Sequence, residues 1–233
     1  MAAVTLLRAR GLARRFGGLK AVDGVDLDLA PLGVHALIGP NGAGKSTLVG
    51  LLSGRIAADA GTIEFDGRDI TRLPAHARVR LGIAYTFQVT SIYPRLTVAD
   101  NVALAVRHRD VVRAARAALA RVGLDAHAAE IAGNLSYGHQ RLLELAMGLA
   151  LEPRLLILDE PTQGLAAGEI AGFSALVREV AARASVLLIE HNMDVVMDLA
   201  ERITVLDFGR VLASGPPAAI RGDAAVQAAY LGA

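Results

Sequence analysis

The chain has 233 residues, a formal net charge of +1 and no cysteine. That length suits one large or two small domains with a proper core. The charge balance excludes a strong general pull toward nucleic acid or an anionic membrane, and the missing thiols exclude disulfides, thiol catalysis and zinc–thiolate sites, which fits a reducing compartment. Mean hydropathy is +0.42, but Ala, Val and Leu carry it along the whole chain. No apolar run approaches the ~18 residues of a membrane span, and the N-terminus lacks the long apolar core of a signal peptide.

In chain order, residues 4–8 and 25–29 have strand character, the second with Asp26 and Asp28 alternating against Val25, Leu27 and Leu29. A turn at 31–33 leads into a buried strand over 34–38, and residues 46–53 form a helix that Gly54 ends. A turn at 59–61 opens an alternating strand over 62–65, and Asp66-Gly67 is a hairpin signal. Helices follow over 74–80, about 97–107, 109–122 (alanine-rich, closed by Gly123) and 138–151, the last stopped before Pro153. Strands at 155–158, 186–189 and 203–206 then alternate with helices at about 167–183 and 194–201. A turn at 207–209, a strand over 210–212 and a short helix over 223–230 complete the chain. Apolar strands alternating with helices predict an α/β fold with a parallel sheet covered on both faces. The early alternating strands predict an antiparallel attachment, and residues of about 90–150 a helical insertion.

Residues Gly39, Pro40, Asn41, Gly42, Ala43, Gly44, Lys45, Ser46 and Thr47 fit the pattern G-x-x-x-x-G-K-[ST], between a buried strand and a helix start as that motif requires. Glycines let backbone N–H groups close around phosphate oxygens, and the helix N-terminus adds partial positive charge. Lys45 would then reach the outer phosphates and the Ser46 hydroxyl would ligate Mg2+. Only 2 of the 24 basic residues are lysine, and one of the two stands at this position. A chance glycine-rich turn before a helix is the plain rival.

Four large apolar residues, 155–158, lead into Asp159 and Glu160, so a buried strand presents two carboxylates at its C-terminal end, where open α/β sheets bind ligands. Asp159 suits Mg2+ held through its outer shell, and Glu160 suits polarising a water in line with a terminal phosphate. Between the two motifs, Leu135-Ser-Tyr-Gly-His-Gln140 directly precedes an amphipathic helix. Ser136 and Gly138 at a helix N-terminus form another anion-binding arrangement, with ordinary serine capping as the alternative.

In this order the three motifs resemble those of the ATP-binding subunit of an ABC transporter, and the resemblance covers essentially the whole chain as one ATP-binding domain. It implies a core of about 1–88 and 153–233 and a helical subdomain of about 89–152. The family's usual Leu-Ser-Gly-Gly-Gln has Tyr137 and His139 in place of its first Gly and its Gln, while Ser136 and Gly138, which face the nucleotide's terminal phosphate in the family, are intact. The resemblance further implies that Gln88 touches Mg2+ or the attacking water, that His191 contacts the γ-phosphate, and that Phe16 stacks on adenine. Ala166 stands where Asp is common, which removes a carboxylate at the presumed dimer seam. Glu160 would activate water, His191 and Lys45 would stabilise phosphoryl charge, and Ser46, Asp159 and Gln88 would hold Mg2+.

The segments 16–22, 81–88, 189–193 and 229–232 are similar to the branched-chain amino acid, amide and urea uptake group. That likeness implies ATP and Mg2+ as ligands, with a second cassette (a copy or a paralogue) packed head to tail. It also implies transmembrane permease subunits served through a surface near 89–101, an indirect link to a substrate-binding protein, no nucleic acid, and a place on the cytoplasmic face of the inner membrane. The rival readings are the ATPase of the lipopolysaccharide-extraction exporter, a soluble ABC protein acting on DNA or ribosomes, and a nucleotide kinase, which would leave 135–140 and His191 unexplained. The pair Arg14-Arg15 is expected on a solvated face, and His35, His76, His108 and His127 show no ligand spacing.

Overall fold

The computed structural model describes residues 5–86, 91–107 and 109–231, with side chains through residue 229. Leu7–Phe16 (β1) and Leu19–Leu29 (β2) form one long antiparallel hairpin, in register from Phe16↔Leu19 to Leu7↔Leu29. This corrects the expectation of two short strands at 4–8 and 25–29. The register shifts near Ala9, Leu12 and Arg14, with Gly11 left-handed at the first of these breaks, and they interrupt the alternation a strand reading depends on. Ala60–Phe65 (β4) pairs with the other edge of β1, and Arg68–Asp69 (β5) with β4, giving an antiparallel sheet of order β2-β1-β4-β5.

The second sheet has the order β10-β9-β3-β8-β7-β6, from Val34–Ile38 (β3), Ile83–Tyr85 (β6), Leu155–Asp159 (β7), Ser185–Ile189 (β8), Arg202–Asp207 (β9) and Arg210–Gly215 (β10). β9, β3, β8, β7 and β6 run parallel and β10 is antiparallel at the edge. All five residues of β3, β7 and β8 are buried, which is why their sequences carry no alternation. The C-terminal ends of β3, β8 and β7 therefore point the same way at neighbouring positions, and the chemistry-bearing loops all leave from there.

Lys45–Ser53 (α1) lies between the two sheets, with Leu48, Leu51 and Leu52 in one core alongside Leu12, Leu29, Ile63 and Ile157. Each such side chain adds about 1.5–3 kcal/mol on burial. The C-terminal end of α1 rests on Arg78 of Ala75–Arg80 (α2), which is 2% exposed. Its guanidinium donates to the carbonyls of Leu51 (2.7 Å), Leu52 (2.8 Å), Leu73 (2.9 Å) and Thr71 (3.0 Å). A cation suits the negative end of a helix dipole, and burial lowers its pKa to about 10.

On the other face of the parallel sheet lie Val98–Ala105 (α3), Val111–Arg121 (α4), Tyr137–Ala150 (α5) and Ala167–Ala181 (α6) around Leu119, Leu143, Leu156 and Phe173. Met193–Leu199 (α7), Pro217–Arg221 (α8) and Ala224–Leu231 (α9) cover it at β3 and β9 through Val196, Ile220 and Val226. The sequence reading missed α8, a five-residue helix with Pro at its start, too short to show a period. The α/β class with a parallel core and an antiparallel attachment is as expected.

His35, the second residue of β3, is 7% exposed and its Nε2 lies 2.8 Å from Thr204 Oγ1, which in turn lies 3.0 Å from Ser214 Oγ. Burial first, and then the charge of Arg202, lower its pKa from 6.5 to about 4. The unfolded chain takes up a proton that the fold refuses, so this contribution is intact above pH 6.5 and declines as pH falls toward 4. The loss is expected to reach about 3 kcal/mol. Thermal unfolding of wild type and His35→Gln between pH 4 and 7 checks it, with a flatter profile expected for the variant.

Candidate nucleotide-binding and hydrolysis site

The loop between β3 and α1 takes its shape from glycines in backbone conformations that side chains rarely adopt. Gly39 has φ 150°, Gly42 79° and Gly44 100°. A Cβ on Gly44 would lie 2.2 Å from the Ala21 carbonyl oxygen, and one on Gly39 2.2 Å from that of Leu206. Lys45 is 7% exposed and bends back over the loop, its Nζ donating to the carbonyls of Gly39 (2.6 Å) and Pro40 (3.0 Å). Burial lowers the Lys45 pKa, opposed by the charges of Glu160 and Asp159. A glycine-rich loop at a helix N-terminus around a partly desolvated ammonium is a place where added negative charge is stabilising.

A groove of about 600 Å³ opens over this loop, lined by Asn41 through Thr47 together with Phe16, Lys20, Glu160 and Phe208. Phe16 is 46% exposed, with the Arg14 guanidinium 4.9 Å above its ring. Arg14 is also paired with Asp59 at 2.7 Å. Arg15 is exposed as expected, but Arg14 is half-buried, because β1–β4 pairing brings the turn end of the hairpin beside Asp59, which sequence distance conceals. Phe208, 85% exposed at φ 41°, projects from a turn whose Gly209 N–H donates to the Ala43 carbonyl at 2.9 Å.

Asp159 is 5% exposed and accepts a 2.6 Å hydrogen bond from the Tyr85 hydroxyl. Burial raises its pKa, which the Tyr85 bond opposes, and the Arg55 guanidinium lies 4.7 Å from the Tyr85 ring. Glu160 sits at φ 49°, an uncommon conformation for a side-chain-bearing residue, with its N–H donating to the Ile189 carbonyl at 2.9 Å. The turn aims its carboxylate at the groove, 3.2 Å from His191 Nε2.

Between these two loops lies Glu190, 2% exposed. Its Oε1 accepts from the Thr162 N–H (2.9 Å) and hydroxyl (2.6 Å), and its Oε2 from the N–H groups of His191 (3.1 Å) and Asn192 (3.3 Å). Sequence reading passed over Glu190 and Tyr85. The available signal was an acid closing the apolar run of β8, the same pattern that marked Asp159 on β7.

Ser136 and Gly138 do not line the groove. Ser136 caps α5, its Oγ accepting from the His139 N–H at 3.3 Å, and Gly138 packs so closely on α6 that a Cβ would lie 2.3 Å from Glu169 Oε1. Gln140 Nε2 donates to the Leu135 carbonyl at 3.1 Å and so supports the turn from one position beyond His139. The other Glu169 oxygen accepts from the Ala166 N–H at 2.7 Å, capping α6 where Ala166 has no side-chain oxygen to offer. Gln88 lies outside the described residues. Among the described residues no cluster of His, Cys, Asp and Glu is gathered for a metal ion; the Ser46 hydroxyl on the groove is the kind of hard oxygen donor that Mg2+ would take. Among the same residues no helix is long and apolar enough to cross a membrane.

The model of the family described as "ABC transporter" matches residues 22–163, and that of the branched-chain amino acid ATP-binding cassette transporters matches residues 210–233. The high-affinity branched-chain amino acid transport ATP-binding protein BraF of Pseudomonas aeruginosa is 38% identical over 97% of this chain and 98% of its own length. The ribose import ATP-binding protein RbsA 1 of Rubrobacter xylanophilus is 40% identical over 89% of this chain, which spans only 43% of that relative. Among solved structures, the ADP conformation of MJ1267, an ATP-binding cassette of an ABC transporter, superposes with a TM-score of 0.92 at 28% identity, covering 99% of this chain and 100% of that one. With the phosphate-loop geometry, these likenesses show that the chain belongs to the ABC transporter family and is an ATP-binding domain of it.

Proposed function

We propose that this chain hydrolyses ATP to drive an ABC importer of branched-chain amino acids or related amides. The observation that carries the hydrolytic part is the convergence of Lys45, Asp159, Glu160 and His191 at the C-terminal ends of three adjacent parallel strands, β3, β7 and β8. Gly39, Pro40, Asn41, Gly42, Ala43, Gly44, Ser46 and Thr47 wrap the phosphates, and Lys45 leaves its loop carbonyls to meet their charge. Mg2+, when bound, neutralises phosphate charge, and Ser46, Asp159 and Gln88 are the residues that would hold it. Glu160 takes a proton from the attacking water, while His191 orients that carboxylate and faces the terminal phosphate. Phe16 carries the base. Phe16→Ala is expected to weaken ATP binding roughly 10-fold, the scale of one lost stacking contact, with tripolyphosphate binding unchanged; paired titrations of the two ligands check this.

Ser136 and Gly138 lie away from their own chain's groove, which supports a head-to-tail pair in which each copy or paralogue completes the other's site. In this reading residues 89–152 act as a helical arm on a core of 1–88 and 153–233. The arm displays Tyr93, 56% exposed, on a turn fixed by buried Asn101, which accepts from the Tyr93 N–H at 2.7 Å and donates to its carbonyl at 3.0 Å. A rigid exposed aromatic suits docking to a permease at the cytoplasmic face of the membrane, with the substrate-binding protein acting only through that permease. Similarity along the full length of BraF and the match at 210–233 favour amino acid cargo over sugar. ATP-driven uptake of labelled leucine by vesicles containing this chain and branched-chain permease subunits tests the assignment. Movement of ribose or of lipopolysaccharide in place of leucine would overturn it.

A further inference from the structure

We infer that Glu190 is a positioning residue, which fixes the distance between the hydrolytic Glu160 and the His191 facing it. The inference rests on the hydrolytic reading above. β7 and β8 are paired through Asp159↔Ile189, and the Glu160 N–H to the Ile189 carbonyl is the last backbone link between them. Past that point the two chains part, one into 161–166 and the other into 191–192, and no strand pairing holds them.

Glu190 replaces the missing rung with one side chain. One carboxylate oxygen holds the Thr162 N–H and hydroxyl, and the other holds the His191 and Asn192 amides. Thr162 is itself 5% exposed, so that end of the bridge is shielded from water. Asn192 continues the chain of bonds, its Oδ1 accepting from the Asp194 and Val195 N–H groups at the start of α7. A buried carboxylate is costly unless its oxygens are bonded; with four donors in hydrogen-bond range, moving either loop by about an ångström would break the bonds on that side. Because Glu160 and His191 leave directly from these loops, their 3.2 Å contact depends on the bridge, although Glu190 itself does not line the nucleotide groove.

Glu190→Gln has nearly the same shape but turns an NH2 toward one of the two pairs of donors. The expected result is a kcat for ATP lowered 10- to 100-fold with KM and ATP affinity changed less than about 3-fold. Thr162→Val, which deletes one of the four bonds and leaves the carboxylate, should give a smaller fall in kcat of the same kind, and covers the case in which the Gln variant folds poorly. In a His191→Ala background Glu190→Gln should lower kcat by less than 2-fold, because the residue acts through His191. An unchanged kcat in both single variants, or an equal fall with and without His191, would overturn the inference. Wild type and Glu160→Gln measured alongside separate the two levels: activity abolished by Glu160→Gln but kept by Glu190→Gln sinks only the bridge, and a wild type without ATPase activity sinks both.

Discussion

Glu160→Gln is expected to keep ATP binding, to trap paired cassettes and to lower turnover at least ~100-fold, the scale of losing a general base. The substitution preserves size, so the left-handed turn at φ 49° and its link to the Ile189 carbonyl remain. What disappears is the carboxylate oxygen that faces His191 Nε2 at 3.2 Å and that, in the proposed function, accepts the proton of the attacking water. Size-exclusion chromatography with ATP and steady-state phosphate release check the two halves separately. Unchanged phosphate release would remove Glu160 from its role and leave the nucleotide site intact.

Gly44→Ala is expected to abolish measurable ATP binding and to destabilise the fold, whereas Gly42→Ala, two residues away in the same motif, is expected to be mild toward the fold. Both glycines are left-handed, at φ 100° and 79°, a conformation that costs a side-chain-bearing residue about 1–2 kcal/mol. Only at Gly44 would the new Cβ also meet backbone, 2.2 Å from the Ala21 carbonyl oxygen, while nothing lies within 4 Å of the corresponding position at Gly42. β2 and the phosphate loop would have to separate. Adding an overlap of that kind brings the expected loss to about 3 kcal/mol or more, a Tm lower by roughly 6–12 °C. Calorimetric melts and fluorescent-nucleotide titrations of the two variants give the comparison, and equal behaviour of the pair would refute the steric account.

The phosphate loop and the Asp159–Glu160 pair were legible because glycine spacing and an apolar run ending in acids are local facts. The same locality explains the misses. The pairing of Arg14 with Asp59 was not legible because the two meet only through the approach of β4 to β1. His35 looked like an unassigned histidine, and only the neighbouring strands show that it is held neutral against Thr204. Tyr85 and Asp159 stand 74 positions apart and meet because β6 and β7 are neighbours.

The sequence by itself determined the kind of ligand this chain takes and the family to which it belongs, since the glycines, lysine and strand-end acids needed for a nucleotide phosphate sit at fixed short spacings. Tertiary structure alone decided which groups share the groove. It placed Glu160 against His191, kept Ser136 and Gly138 away from their own nucleotide loop, and closed the gap between two parting strands with Glu190. The physical reason is that strand order and parallel register, set by burial of whole apolar strands on both faces, bring together loops that no local pattern connects.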